Sequence, residues 1–209
     1  MQTKKPMYKE TVGAQYYAFN QPTEAGEFQG DSSKYDEVIK TDVVKKIGTT
    51  ENGESTTIRA SGKDYDTVSR LNNVDLAVEV VAFPADDLGK MKGEEFDEDG
   101  LISAKTDKKL PFFAYGKVVE KHGGHFRFDW YPKCQLVENT DDIATTEENF
   151  SEQNDTVTIR AYAFDKEGHY KRSVDSEASN FPSGLTEEKF FAKPILTKQD
   201  LADALSSSI

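Results

Sequence analysis

The chain has 209 residues, and 26 basic side chains face 38 acidic ones, a formal net charge of −12. That balance argues against a binder of nucleic-acid backbone or anionic membrane, since each phosphate contact needs Lys or Arg. Cys134 is the single cysteine, which rules out an internal disulfide, and no stretch approaches the roughly 20 apolar residues of a membrane helix. The opening MQTKKPMYKE has early lysines but no apolar run behind them, so no secretory signal is expected and the chain is expected to be made in a cytoplasm.

The first predicted strand is 14–19, followed by a Gly- and acid-containing loop at 20–35 that reads as an arm. Next come two extended runs, 42–50 and 55–61, around Glu51-Asn52-Gly53-Glu54, where Asn-Gly signals a type I′ turn. The apolar residues of this long hairpin are few, Val43, Val44, Ile47 and Ile58, so it is expected not to bury a face within its own monomer and to lie on something else. The run 74–83 alternates: Val74, Leu76, Val78, Val80 and Ala82 share one face, and Asp75, Ala77, Glu79, Val81 and Phe83 the other. Pro84 then opens a short helix in PADDLGKM, with Asp86 and Asp87 at its positive end.

Residues 93–104 read as a hairpin around Asp97-Glu98-Asp99-Gly100, and 112–121 with 125–138 as strands joined at Gly123-Gly124. Phe126, Phe128, Trp130, Cys134 and Leu136 share one parity, and Pro132 between them implies an edge or a bulge. A polar loop at 139–153 leads to a strand at 156–164, a turn at 165–168 and its expected partner at 169–174. Phe190-Phe191-Ala192 reads as strand, and Thr197-Lys198-Gln199-Asp200 as the cap of a last short helix. The whole predicts a mainly β, antiparallel sandwich or barrel with a short flanking helix, a long hairpin at about 42–61 and flexible arms. It forms one domain over 1–196, with 197–209 as a C-terminal extension.

No constellation carries chemistry. His122 and His125 flank two glycines that specify a tight turn, not a metal geometry. Glu95, Asp97, Asp99 and Gly100 imitate part of a calcium loop, but its twelfth position is Thr106 where a bidentate Glu belongs. Acid pairs such as Asp86-Asp87, Asp141-Asp142 and Glu147-Glu148 cannot face each other across a cleft. Cys134 lacks an activating signature, and a Gly-rich phosphate loop is absent. Asn149-Phe150-Ser151 and Asn154-Asp155-Thr156 match the glycosylation pattern only. The chain is expected to be no enzyme and to use no cofactor or metal.

Landmarks in chain order nevertheless form a pattern: GAQYYAF at 13–19, Gly53-Glu54-Ser55-Thr56, Ala60-Ser61-Gly62, the runs 65–70 and 74–84, and Asp99-Gly100-Leu101-Ile102. Pro111-Phe112-Phe113-Ala114-Tyr115-Gly116, Tyr131-Pro132-Lys133-Cys134 and Thr156-Val157-Thr158-Ile159 follow. Over residues 8–196 the chain thereby resembles the phi13-type major tail proteins, the tail-tube subunits of long-tailed bacteriophages.

The resemblance implies a virion structural protein of the tail-tube β-sandwich type, self-assembling into stacked six-membered rings around a channel for DNA. The implied partners are other copies of itself, a tape-measure protein, and tail terminator and distal tail proteins, with no membrane. Asp75 and Glu79 become candidates for the lumen or a subunit seam. Val43, Val44, Ile47, Asn52, Gly53 and Ile58 become the candidate inter-subunit hairpin. The competing reading is a virion decoration or cell-surface β-sandwich module that binds carbohydrate or protein.

Overall fold

A computed structural model describes residues 5–141, 143, 145 and 153–207. The motif at 149–151, Glu147-Glu148 and most of the loop at 139–153 lie outside the described residues. The strands are β1 (Lys9–Phe19), β2 (Ile39–Thr41), β3 (Val44–Ala60), β4 (Lys63–Val80), β5 (Glu95–Phe96), β6 (Ile102–Ser103), β7 (Phe113–Lys121), β8 (His125–Thr140), β9 (Asp155–Ala161) and β10 (Arg172–Asp175). The helices are α1 (Ala85–Met91), α2 (Glu187–Phe191) and α3 (Lys198–Ser206).

All strands but β5 and β6 join one antiparallel sheet in the order β2-β1-β7-β8-β9-β4-β3, with β10 added to β8. The sheet rolls up, because alternation gives β1, β4, β7, β8 and β9 an apolar inner face. Tyr17, Phe19, Leu76, Val78, Phe113, Tyr115, Tyr131, Cys134, Leu136, Val157 and Ile159 meet in one inner core. Lys117 on β7 reaches across the roll to Thr49 on β3, with Nζ donating to Oγ1 at 2.7 Å. Helix α1 closes one end, placing Leu88 and Met91 against the core while Tyr17 donates its hydroxyl to Asp87 at 2.6 Å.

A second core lies outside the roll. Tyr16, Ala18, Ala114, Val118, Phe128 and Trp130 project outward from β1, β7 and β8 and are covered by Leu185, Phe190, Phe191, Ile195 and Leu196. Trp130 donates its indole N–H to the Phe190 carbonyl at 3.0 Å, and Tyr16 stacks on Phe191 at 3.9 Å between centroids. Gly116 is required beneath this stack, since a Cβ there would lie 2.7 Å from Phe191 Cε1.

Several local expectations change. The hairpin turns at Ser61-Gly62, both at positive φ (+52° and +74°), and not at Asn52-Gly53. Asn52 and Gly53 instead sit within β3 at a bulge, where the partners step from Asn73 to Leu71 and leave Asn72 unopposed. Asn52 spends its amide on Asn73 Oδ1 and Asp75 Oδ2, both at 2.8 Å. The following strand ends at Val80, so Val81 and Phe83 leave the alternation.

The parity of β8 also breaks. The register steps from Phe113↔Cys134 to Tyr115↔Tyr131, an extra residue at Pro132, so Trp130 faces the outer core while Tyr131, Cys134 and Leu136 face the inner one. β10 pairs with β8 and not with the preceding strand β9. Phe190 and Phe191 belong to α2, whose first turn carries Glu187 and Glu188 and is capped by Thr186.

The expected arms are packed as well. Asn20 is buried and tied to Gln29 in both directions, and Tyr35 donates to the Pro132 carbonyl at 2.8 Å, which closes the loop 20–35 on the barrel. After Pro194, Ile195 and Leu196 are buried in the outer core. Thr197 and Asp200 cap α3 reciprocally, and its Leu201, Ala204 and Leu205 lie on that core.

Candidate assembly surface

The base of the β3–β4 hairpin belongs to the barrel. Val43, Val44 and Ile47 are partly buried against the inner core, so they do not supply the faceless arm that the sequence suggested. Beyond the bulge at Asn52-Gly53 the hairpin leaves the barrel, and both of its faces are exposed from there to the turn and back to Leu71. At about 3.3 Å per residue this ribbon extends roughly 25–30 Å.

Its register fixes what each face presents. Thr56 opposes Val68 and Ile58 opposes Asp66, so Ile58 and Val68 are diagonal neighbours on one face, 47% and 51% exposed. Tyr65, the extra residue of a second bulge between Asp64 and Asp66, is 78% exposed. Leu71, opposite Gly53, is exposed at the root. Polar pairs hold the ribbon in register: Arg59 with Asp64 at 2.8 Å, and Ser69 with Ser55 at 3.3 Å. A two-stranded ribbon without a covered face is marginal in water. Among the described residues β3 pairs only with β4, so its other edge remains open to a further strand.

Asp75 and Glu79 lie on the outer face of the barrel wall. Arg160, opposite Asp75 on β9, donates Nε to Oδ1 at 2.7 Å and Nη2 to Oδ2 at 3.0 Å. This guanidinium, with Asn52 as a further donor, holds the Asp75 carboxyl below the ordinary Asp value. Glu79 accepts from Asn154 at 3.0 Å. Both candidate acids are therefore engaged within the wall, and Asp75 is matched in charge.

Of the six candidate hairpin residues, only Ile58 lies on the projecting ribbon; Asn52 and Gly53 form its root. Tyr65, Val68 and Leu71 were missed because the turn was placed too early, although the Ser61-Gly62 pair could have located it. A second exposed apolar feature is the β5–β6 hairpin, where Phe96 opposes Ile102 and Leu101 sits in the turn. Phe96 rests on α1 at Gly89, where a Cβ would come within 2.4 Å of its ring.

The titratable clusters are structural ties. His122 bonds Tyr8 at 2.9 Å and Glu10 at 2.5 Å, whereas His125 meets Ser176, so the two histidines do not converge. Asp165, Glu167 and His169 come within 4.8 Å of one another in a turn, where Asp165 accepts from the His169 backbone and from Arg172. Burial pushes the Cys134 thiol up, which leaves it protonated and unreactive at neutral pH.

Fold and surface together define a rolled-sheet domain that carries a projecting β-ribbon. No protein-family profile matches the chain, and no curated protein matches it. Among solved structures it is similar to a chain in the six-fold symmetrised cryo-EM structure of the anti-feeding prophage baseplate, at 9% identity and a TM-score of 0.45. That match spans 84% of this chain and 100% of the other. A likeness of that degree carries no assignment. Among the described residues no helix is long and apolar enough to cross a membrane.

Proposed function

We propose that this chain is a tail-tube subunit of a long-tailed bacteriophage, assembling with copies of itself into stacked, six-membered rings. The observation that carries the reading is the ribbon beyond Gly53, which exposes Ile58, Tyr65 and Val68 together with an open strand edge. A neighbouring subunit would cover it. Ribbon and receiving surface differ, so the contact is heterologous, and repetition of such contacts closes rings or extends tubes. The ordered resemblance of the sequence to major tail proteins supports the same reading.

In the tube, the chain would surround a tape-measure protein, meet terminator and distal tail proteins at the ends, and pass DNA without reading it. Asp75 and Glu79 face the lumen or a seam. The net charge of −12 suits a channel wall, because an acidic surface repels phosphate at short range and does not hold it.

Electron microscopy of the concentrated protein, with mass measured in parallel, tests the proposal. Rings or tubes are expected. The double variant Ile58→Ser, Val68→Ser should keep the monomer's melting temperature and raise the concentration needed for assembly. Assembly unchanged by that variant would remove the ribbon from the contact. Monomers at every concentration, even with tail-end proteins added, would favour a decoration or binding module.

A further inference from the structure

The end of the barrel away from α1 is open and holds a cavity of about 360 Å³, lined by Lys117, Arg127, Lys171, Thr49, Tyr131 and Glu51 among others. Its electrostatics are unusual for an interior. Lys117 and Asp129 are direct partners in the β7–β8 pair and both are buried. The Asp129 carboxylate has three cations around it: Arg127 at 3.1 Å, Lys117 at 4.0 Å and Lys171 at 4.0 Å. One carboxylate balances one of the three.

The rim narrows the imbalance without closing it. Lys9 adds a further cation there, and Glu10, bonded to His122, and Glu51, which accepts the Tyr170 hydroxyl at 2.8 Å, add two carboxylates, so with Asp129 four cations meet three carboxylates. Besides Asp129 at 4.0 Å, Lys117 meets the Thr49 hydroxyl at 2.7 Å and the Tyr131 ring, 5.5 Å from its centroid. Desolvation pulls the Lys117 amine down to about 8, the mark of a buried cation without a full counter-charge.

We propose that this cavity binds a small oxyanion, held by Lys117, Arg127 and Lys171. All three cationic side chains line one solvent-connected space, and charge-assisted hydrogen bonds to an oxyanion are the strong kind. The anion supplies the one negative charge that Asp129, Glu10 and Glu51 leave short. Lys and Arg also suit different parts of it, a point charge on one side and a planar fork on the other. The site lies wholly within one chain and stands independently of assembly.

Inorganic phosphate is the probe. Titration calorimetry and melting curves are recorded at fixed pH and fixed ionic strength, with sodium chloride replacing phosphate in the control. Saturable binding and a rise in melting temperature specific to phosphate are expected. Lys171→Gln should weaken binding at least about tenfold, since it removes one charge-assisted bond to the anion. The Lys171 side chain is 29% exposed, so this variant leaves the packed core intact. Lys117→Met should abolish binding, and broadening of the phosphorus-31 resonance by wild type but not by either variant gives a second readout. Lys166→Gln, in an exposed turn, should bind as wild type does. Stabilisation by phosphate no greater than by chloride, or equal binding by wild type and Lys171→Gln, would overturn the proposal.

Discussion

Asp75 and Arg160 stand opposite each other on β4 and β9 and are joined by two parallel hydrogen bonds of 2.7 and 3.0 Å. The pair spans the seam between the strand that carries the ribbon and the rest of the wall. It also matches in charge an acid that the sequence offered as a candidate for the lumen or a subunit seam. Because both side chains keep partial contact with water, the pair contributes about 1 kcal/mol or less.

Asp75→Asn should therefore lower stability in urea by no more than about 1 kcal/mol at neutral pH. The sign of its pH dependence is fixed. The folded carboxyl titrates below the unfolded one, near about 3.9, so its contribution is complete above that pH and fades as acid takes the folded group through its own lowered value. Wild type and Asp75→Asn should converge in strong acid; a gap that persists there would show that the loss is not electrostatic.

Gly62 turns the ribbon at a φ of +74° beside Ser61 at +52°. A branched residue at Gly62 costs roughly 1–2 kcal/mol in the left-handed region. Both ribbon faces are exposed, so Gly62→Val should speed amide exchange between 53 and 71 and leave the global melting temperature in place. Slowed exchange, or a lower melting temperature, would mean that the ribbon shares in the core.

Overpacking offers a check on the outer core. Gly116→Ala would drive a methyl into Phe191 and toward Trp130, at 2.7 and 3.1 Å, and such insertions cost about 1–3 kcal/mol. Trp130 is the only tryptophan, so its emission reports this layer directly. A urea midpoint shifted down with a changed native emission spectrum is the expected result.

The sequence made some of this visible and hid the rest for physical reasons. The strands flanking Gly123-Gly124 were legible because a tight turn fixes their register. Counting outward from that turn even sets Lys117 opposite Asp129, a signal that was there to be used. Pro84 likewise marked α1. Asn52-Gly53 misled because the same residues that favour a hairpin turn also suit a bulge, and only Asn73 and Asp75 across the strand decide between them. Phe190-Phe191 looked like strand by type, yet Thr186 before them sets a helix. The burial of Ile195 and Leu196 depends on an outer barrel face that no local pattern announces.

Cys134 provides a probe of the inner core. Its thiol is fully buried and pushed up by desolvation. Labelling by a thiol reagent should be negligible in the native state and complete in denaturant. Labelling at intermediate urea should follow the same transition as the secondary structure. Rapid native labelling would show that the barrel opens without unfolding.

Trp130 and Tyr131 are consecutive residues of β8, and strand alternation sends them to different cores. A slip of β8 by one residue would turn each of them to the wrong side together, emptying both layers in one step. The strand therefore has a single admissible alignment, checked simultaneously from its two faces. A folding chain that finds this alignment has placed the barrel wall and its outer covering in the same event.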